Sequence, residues 1–298
     1  VVNELKAFCL NGHKWYEIDD AQDKDIAEVI FEDDHSAKLD RMSRRYGGYW
    51  RFPGMLDFCY LVNPYFPNKT LLNEMKAYLP DLLSEYPSGL NVQNLLAGKL
   101  FGLDDTQILV GNGAAELIRA LAETLKGSVG VIYPTFNEYP ESFVNNEIVP
   151  FIAKDMAYTL KDLLAWQKSC DNLLLINPDN PSGNCIPKKD IIALLDEMKK
   201  GGKTLVLDES FIDFCSDGLE ATMLSQDILD HYPNLILVKS ISKSYGVPGI
   251  RLGVLASSNP ETVKTVRKNL SIWNINSFGE YFLQIIGKYK KDYQEACR

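Results

Sequence analysis

Five short stretches constrain this chain most: "QILVGNG" (107–113), "SVGVIYP" (128–134), "NLLLINP" (172–178), "KTLVLDE" (203–209) and "NLILVKS" (234–240). Each is a continuous apolar run of strand length, closed by Pro, Asp, Ser or Gly. A strand with one wet face alternates apolar and polar residues; a continuous run must be covered on both faces. The segments between the runs have helical period, as in "AAELIRALAETL" (114–125), where Leu117, Ile118, Leu121 and Leu125 share a face. Strands alternating with helices give an α/β fold with a mostly parallel sheet between helix layers. In such sheets ligands bind outside the carboxyl ends of the strands. The chemistry is therefore expected just after each run.

Composition narrows the partners. The net charge of −9 leaves no basic surface for nucleic acid phosphates. No apolar run approaches membrane-spanning length. The six cysteines form no CxxC pair and the three histidines are far apart, so a metal site is not expected. A reduced, cytoplasmic setting suits such cysteines better than a disulfide framework. The chain opens at Val1 and ends at "QEACR" with a helical pattern still running, which suggests a piece of a longer polypeptide.

The residues just after each strand are chemically pointed. "GNGAAE" (111–116) offers glycines for close approach and a helix start whose free N–H groups, near Ala114 and Ala115, suit a phosphate. "PTFNEY" (134–139) supplies Phe136 and Tyr139, either to stack on a planar ligand or to fill core. "NPDNPSG" (177–183) is a rigid turn in which Asn180 offers an amide donor. Asp208 ends its strand as a buried carboxylate, costly unless paired, or else a cap for the next turn. "SISKSYGVPGIRLG" (240–253) adds Ser240, Ser242, Lys243 and Arg251. Phosphate donors, a ring, an amide, a carboxylate and a lysine together suit pyridoxal 5′-phosphate, with Lys243 as its covalent anchor. Further upstream, Leu71, Leu72, Met75 and Leu79 have helical spacing, with Thr70 as the expected cap.

"NPDNPSG", "LDES" and "SISKSYGVPGIRLG" resemble, in order, three signature blocks of the class I and II aminotransferases, with fold type I and a seven-stranded sheet. The resemblance covers roughly residues 46–298. It implies that Lys243 is the Schiff-base lysine, Asp208 the partner of the pyridine nitrogen, Asn180 a donor to the ring's phenolic oxygen and Phe136 the stacking ring. Ser240, Ser242, Arg251 and the backbone at Ala114 and Ala115 would hold the phosphate. Tyr86 would reach the phosphate of a neighbouring subunit's cofactor, which implies a homodimer with shared sites.

Two branches look close: histidinol-phosphate aminotransferase and threonine-phosphate decarboxylase. The first carries a tyrosine where this chain has Phe211, so "DESFIDF" resembles the second. "YGGYW" (46–50), "LDFCYLVNP" (56–64) and "WNIN" (273–276) are also similar to that branch, with Tyr46 in place of its histidine. Tyr46 and Asn63 are the substrate-side candidates. Arg44, Arg45 and Arg51 would either contact a substrate phosphate or form a solvated face. The expected activity is amino transfer from a small amino acid, with decarboxylation of a phospho-amino acid as the alternative and a non-catalytic module as a third reading. "KWYEIDDAQDKDIAEVIF" (14–31) is similar to the end of sugar- and choline-phosphate nucleotidyltransferases, which implies a fusion. The expected organisation is a nucleotidyltransferase-like tail (1–40), a connecting arm (41–69), a large cofactor domain (70–270) and the start of a small domain (271–298). The family's carboxylate-binding arginine has no position to map onto in the forty-seven residues after Arg251.

Overall fold

The computed structural model describes residue 7, residues 9–52 and residues 54–298; the opening of the expected tail lies outside the described residues. The chain divides into two compact units, Val1–Leu61 and Val62–Arg298.

In the first unit, Asp20 begins the helix Ala21–Phe31 by accepting from the N–H groups of Gln22 and Asp23, at 2.7 and 2.9 Å. That side-chain cap satisfies donors that no helical carbonyl can reach. Ile26, Ala27 and Val29 form its buried side. A second helix, His35–Arg44, is capped by Asp34. Residues 41–44, expected in the arm, complete this helix instead. Arg44 pairs with Asp40 at 2.6 Å, Arg45 pairs with Asp25, and the Arg51 guanidinium lies over the Trp50 ring.

In the second unit the first helix is Lys69–Ala77. Its cap is Asn68, whose Oδ1 accepts from Leu71 N–H at 2.9 Å, not Thr70. The strands are β1 (Ile108–Asn112), β2 (Val129–Tyr133), β3 (Ile148–Ile152), β4 (Asn172–Ile176), β5 (Thr204–Asp208), β6 (Leu235–Ser240) and β7 (Leu252–Ala256). They form one seven-stranded sheet in the order β1-β7-β6-β5-β4-β2-β3. The ladders are parallel except those of β7, which runs antiparallel to both β1 and β6.

Two apolar clusters cover the two faces. Ile108, Val110, Leu173, Leu175, Leu205, Leu207, Leu235 and Leu237 belong to one; Leu109, Leu174, Val206, Ile236 and Val238 belong to the other. Successive side chains on a strand point to opposite faces, so continuous runs fill both layers. Each such side chain contributes roughly 1.5–3 kcal/mol by leaving water. Among the described residues no helix is long and apolar enough to cross a membrane.

Candidate cofactor site

β5 delivers Asp208 at its last position, with the residue only 4% exposed. Its Oδ1 accepts from Ser210 N–H at 2.8 Å and its Oδ2 from the Tyr139 hydroxyl at 2.7 Å. The turn-capping role and the buried-carboxylate role therefore coexist. Burial pushes the Asp208 carboxyl above its usual range, against the opposing pull of the Ser210 and Tyr139 bonds and the Lys239 charge. Burial and the adjacent Asp208 hold the Tyr139 hydroxyl well above the usual tyrosine range, so it stays a donor. Tyr139, offered as a stacking ring, is instead fully buried and committed to Asp208. Phe136 is 43% exposed and stands edge-on to Tyr139, ring centroids 6.4 Å apart. The exposed ring and the carboxylate thus share one tyrosine as neighbour.

Asn180 sits half-buried in the turn after β4. Asp179 builds that turn: its N–H donates to Asn184 O at 2.8 Å, and its own carbonyl accepts from Gly183 N–H at 2.9 Å. Asn177 clamps the far end, donating to Ile186 O at 3.0 Å and accepting from Ile186 N–H at 2.8 Å. The Asn180 side chain takes no part in these bonds.

Two lysines lie at the end of β6. The ammonium of Lys239 pairs with Asp213 at 2.7 Å, both side chains almost fully buried. Lys243 lies on the short helix Ile241–Ser244 and is half-buried. Its carbonyl accepts from Asn63 N–H at 3.0 Å and from Gly246 N–H at 3.2 Å. Gly246 has φ +65°, and a Cβ there would come within 2.7 Å of the Phe66 carbonyl carbon and 2.8 Å of Asn63 O. Only glycine permits that approach. Ser240 is held by its N–H bond to Ser210 Oγ at 3.0 Å. The Ser242 hydroxyl accepts from Leu252 N–H at 3.2 Å and donates to Leu252 O at 3.3 Å, stapling the Lys243 helix to β7.

The third element joins a helix start to an arginine. The helix Gly113–Ala122 starts without a side-chain cap, so its first N–H groups, around Ala114 and Ala115, have no helical acceptor. Gly113 N–H donates to Arg251 O at 3.0 Å. A Cβ on Gly113, whose φ is +76°, would sit 2.5 Å from Arg251 Nη2. A Cβ on Gly253 would sit 2.5 Å from Ala114 N. The Arg251 guanidinium therefore lies against the positive end of the helix. Two positive features facing each other are stabilised by an anion between them.

Beside this helix start, Asn274 of "WNIN" donates to Val110 O and to Glu116 Oε2, both at 2.9 Å, and Glu116 also accepts from Asn112 N–H at 2.7 Å. Tyr86 is 77% exposed and packs against the Trp273 ring at 4.5 Å. Asn63 is buried; its amide donates to Ala296 O at 3.3 Å and its Oδ1 accepts from Tyr65 N–H at 2.9 Å, so it acts as a tie to the helix Lys290–Ala296. Tyr46 is 88% exposed and belongs to the first unit.

These residues fit pyridoxal 5′-phosphate on two observations: a buried carboxylate whose two bonds come from neutral donors, and an arginine side chain packed against the uncapped start of a helix, where a Cβ on Gly113 would meet it.

The family profile "Aminotransferase class I and II" matches residues 85–291. The CMP-5′-(3-aminopropyl)phosphonate synthase of Streptomyces rubellomurinus is 33% identical over 95% of this chain and 45% of its own length. The L-serine phosphate decarboxylase of Sulfurospirillum multivorans is 33% identical over 81% of this chain and 65% of its own. This chain thus spans less than two thirds of either relative. The crystal structure of the histidinol-phosphate aminotransferase from Clostridium acetobutylicum superposes with a TM-score of 0.72 at 25% identity, covering 82% of this chain and 72% of that one.

Proposed function

The chain belongs to the class I and II aminotransferases, fold type I enzymes that work with pyridoxal 5′-phosphate, and on that premise we propose that it removes the carboxylate from an amino acid bearing a phosphate or phosphonate. When bound, the cofactor supplies an electron sink for charge developing at the substrate's α-carbon. Asp208 would hold a proton at the ring nitrogen, with Tyr139 keeping the carboxylate aimed. Asn180 would donate to the phenolic oxygen, and Phe136 would cover a ring face. Arg251, Ser240, Ser242 and the N–H groups of Ala114 and Ala115 would hold the phosphate. Lys243 would be the amine that holds the cofactor and would carry a proton at the substrate's α-carbon.

Asp208 carries the reading, because a carboxylate buried between neutral donors calls for a cation such as a protonated ring nitrogen. Two relatives direct the reaction. One is a phospho-amino acid decarboxylase by name. The other is named for a product that is a primary amine with a phosphonate and no α-carboxylate, which is what loss of CO2 from an amino acid leaves. Phe211 in place of tyrosine agrees. Amino transfer is the second reading, favoured by relatives named histidinol-phosphate aminotransferase, one of them 26% identical over 77% of this chain.

The named product of the Streptomyces relative also carries CMP, which supports a longer polypeptide with a nucleotidyl-transferring portion. Exposed Tyr86 supports a homodimer in which it serves the neighbouring site. A cytoplasmic location suits six free cysteines.

The test offers a panel of phosphorylated and phosphonate amino acids to the full-length protein and follows CO2 and keto acid separately. CO2 without keto acid is expected; keto acid without CO2 selects amino transfer. Borohydride reduction and peptide mapping should label Lys243. A label on Lys239 would refute the cofactor assignment.

A further inference from the structure

Cys185 and Cys215 come from different strand-end segments, yet their sulfurs lie 3.3 Å apart. Cys185 comes after the Asn180 turn and is exposed; Cys215 closes the 3-10 turn Ile212–Phe214 and is half-buried. Neither backbone hangs loose. Ile186, next to Cys185, is clamped on both sides by Asn177. Cys215 N–H donates to Ile212 O at 3.0 Å, and its carbonyl accepts from Gly218 N–H at 2.9 Å. A disulfide needs the sulfurs at about 2.05 Å, only about an ångström closer than they stand.

We propose that Cys185 and Cys215 are a reversible redox site, closing to a disulfide that ties the Asn180 turn to the segment after Asp208. The oxidant is a peroxide. The Cys185 thiolate attacks a peroxide oxygen, the O–O bond breaks, and a sulfenic acid and water form once the displaced oxygen takes up the thiol's proton. The Cys215 sulfur then attacks the Cys185 sulfur, the S–O bond breaks, and the hydroxyl leaves as a second water with the Cys215 proton. Each sulfur is oxidised by one electron, and both peroxide oxygens are reduced to water. A dithiol reductant reverses the change. The order comes from the thiols: exposed Cys185 meets the oxidant, while burial and the Cys185 neighbour push the Cys215 thiol up to about 12. The site does not depend on the proposed function; its effect on the cofactor does, because Asn180 and Phe211 ride on the joined segments.

The reduced full-length protein is treated with stoichiometric hydrogen peroxide, alkylated and mapped without reduction. The expected product is a linked 185–215 peptide, lighter by two hydrogens, lost with dithiothreitol and absent from Cys185→Ser and Cys215→Ser. A sulfinic acid at Cys185 with Cys215 still alkylatable, or linkage to another cysteine, overturns the site. Cofactor titration of both forms should differ several-fold. A formed crosslink with equal affinities overturns the tie to the cofactor. If neither form binds pyridoxal phosphate, the reading of the cofactor site fails, and the crosslink is judged on the peptide map alone.

Discussion

The Tyr139 hydroxyl donates to Asp208 Oδ2 at 2.7 Å, joining two buried side chains that stand 69 residues apart in sequence. Tyr139→Phe keeps the ring and deletes the donor. The buried carboxylate oxygen left without it costs about 1–3 kcal/mol of stability. The lost bond also favours the charged form of Asp208, so its pKa should rise further and cofactor affinity should fall, most at low pH. Urea denaturation and cofactor titration across pH check both. A less stable variant with unchanged cofactor binding at every pH would reduce Tyr139 to core packing.

Glu209 gives a pH dependence of the opposite sense to most carboxylates. It is fully buried, and burial raises it to about 7, with Asp213 adding to the rise and Lys239, Thr222 and Met223 opposing it. A carboxyl whose folded pKa lies above its unfolded one binds its proton more tightly when folded. Its stabilising effect is present at low pH and is lost as pH rises from about 4.5 toward 7. The full loss is on the order of 3 kcal/mol. Glu209→Gln keeps an acceptor for Met223 N–H, which Glu209 binds at 2.7 Å, and should flatten that window. Urea midpoints at pH 5 and 7.5 for both proteins decide it; parallel curves would show that Glu209 does not titrate there.

Gly113→Ala should damage the contact between the helix start and Arg251. The new Cβ would meet Arg251 Nη2 at 2.5 Å, from a backbone with φ +76°. The left-handed conformation alone costs roughly 1–2 kcal/mol for a residue with a Cβ. Pyridoxal phosphate affinity should fall more than affinity for phosphate-free pyridoxal. Equal losses for the two would mean that Arg251 does not serve the phosphate.

Phe211 is half-buried three residues after Asp208. Phe211→Tyr should restore a donor to the phenolic oxygen and lower the pH midpoint of the bound cofactor's absorbance. The shift is that of one neutral hydrogen bond, about 0.5–1.5 kcal/mol or up to one pKa unit. An unmoved midpoint would show that residue 211 faces away from the ring.

The ends of β1, β2, β4, β5 and β6 were legible because apolar runs declare where strands stop. β3 was not: it is an edge strand with Pro150 inside it, only partly buried, so it lacks the run that marks its neighbours. β7 was hidden because its residues come directly after the Lys243–Arg251 motif. The Asn68 cap was missed because Thr70 also satisfies cap chemistry, and choosing between them takes the backbone geometry. Tyr139 on Asp208, and Lys239 on Asp213, join a strand's end to a segment that follows a different strand, and no local period announces them. The second pair commits Lys239 to the core, which its place in sequence, four residues before Lys243, does not reveal.

β7 lies between β1 and β6, and among the described residues β1 has no other strand neighbour. β1 therefore cannot join the sheet until β7, ending at Ala256, has been made. Until then its hydrogen-bonding edge is unpaired, and the helix behind it has no Arg251 to face. A nascent chain stalled before residue 252 would expose that edge to other chains, so its solubility during synthesis rests on how quickly β7 closes the gap.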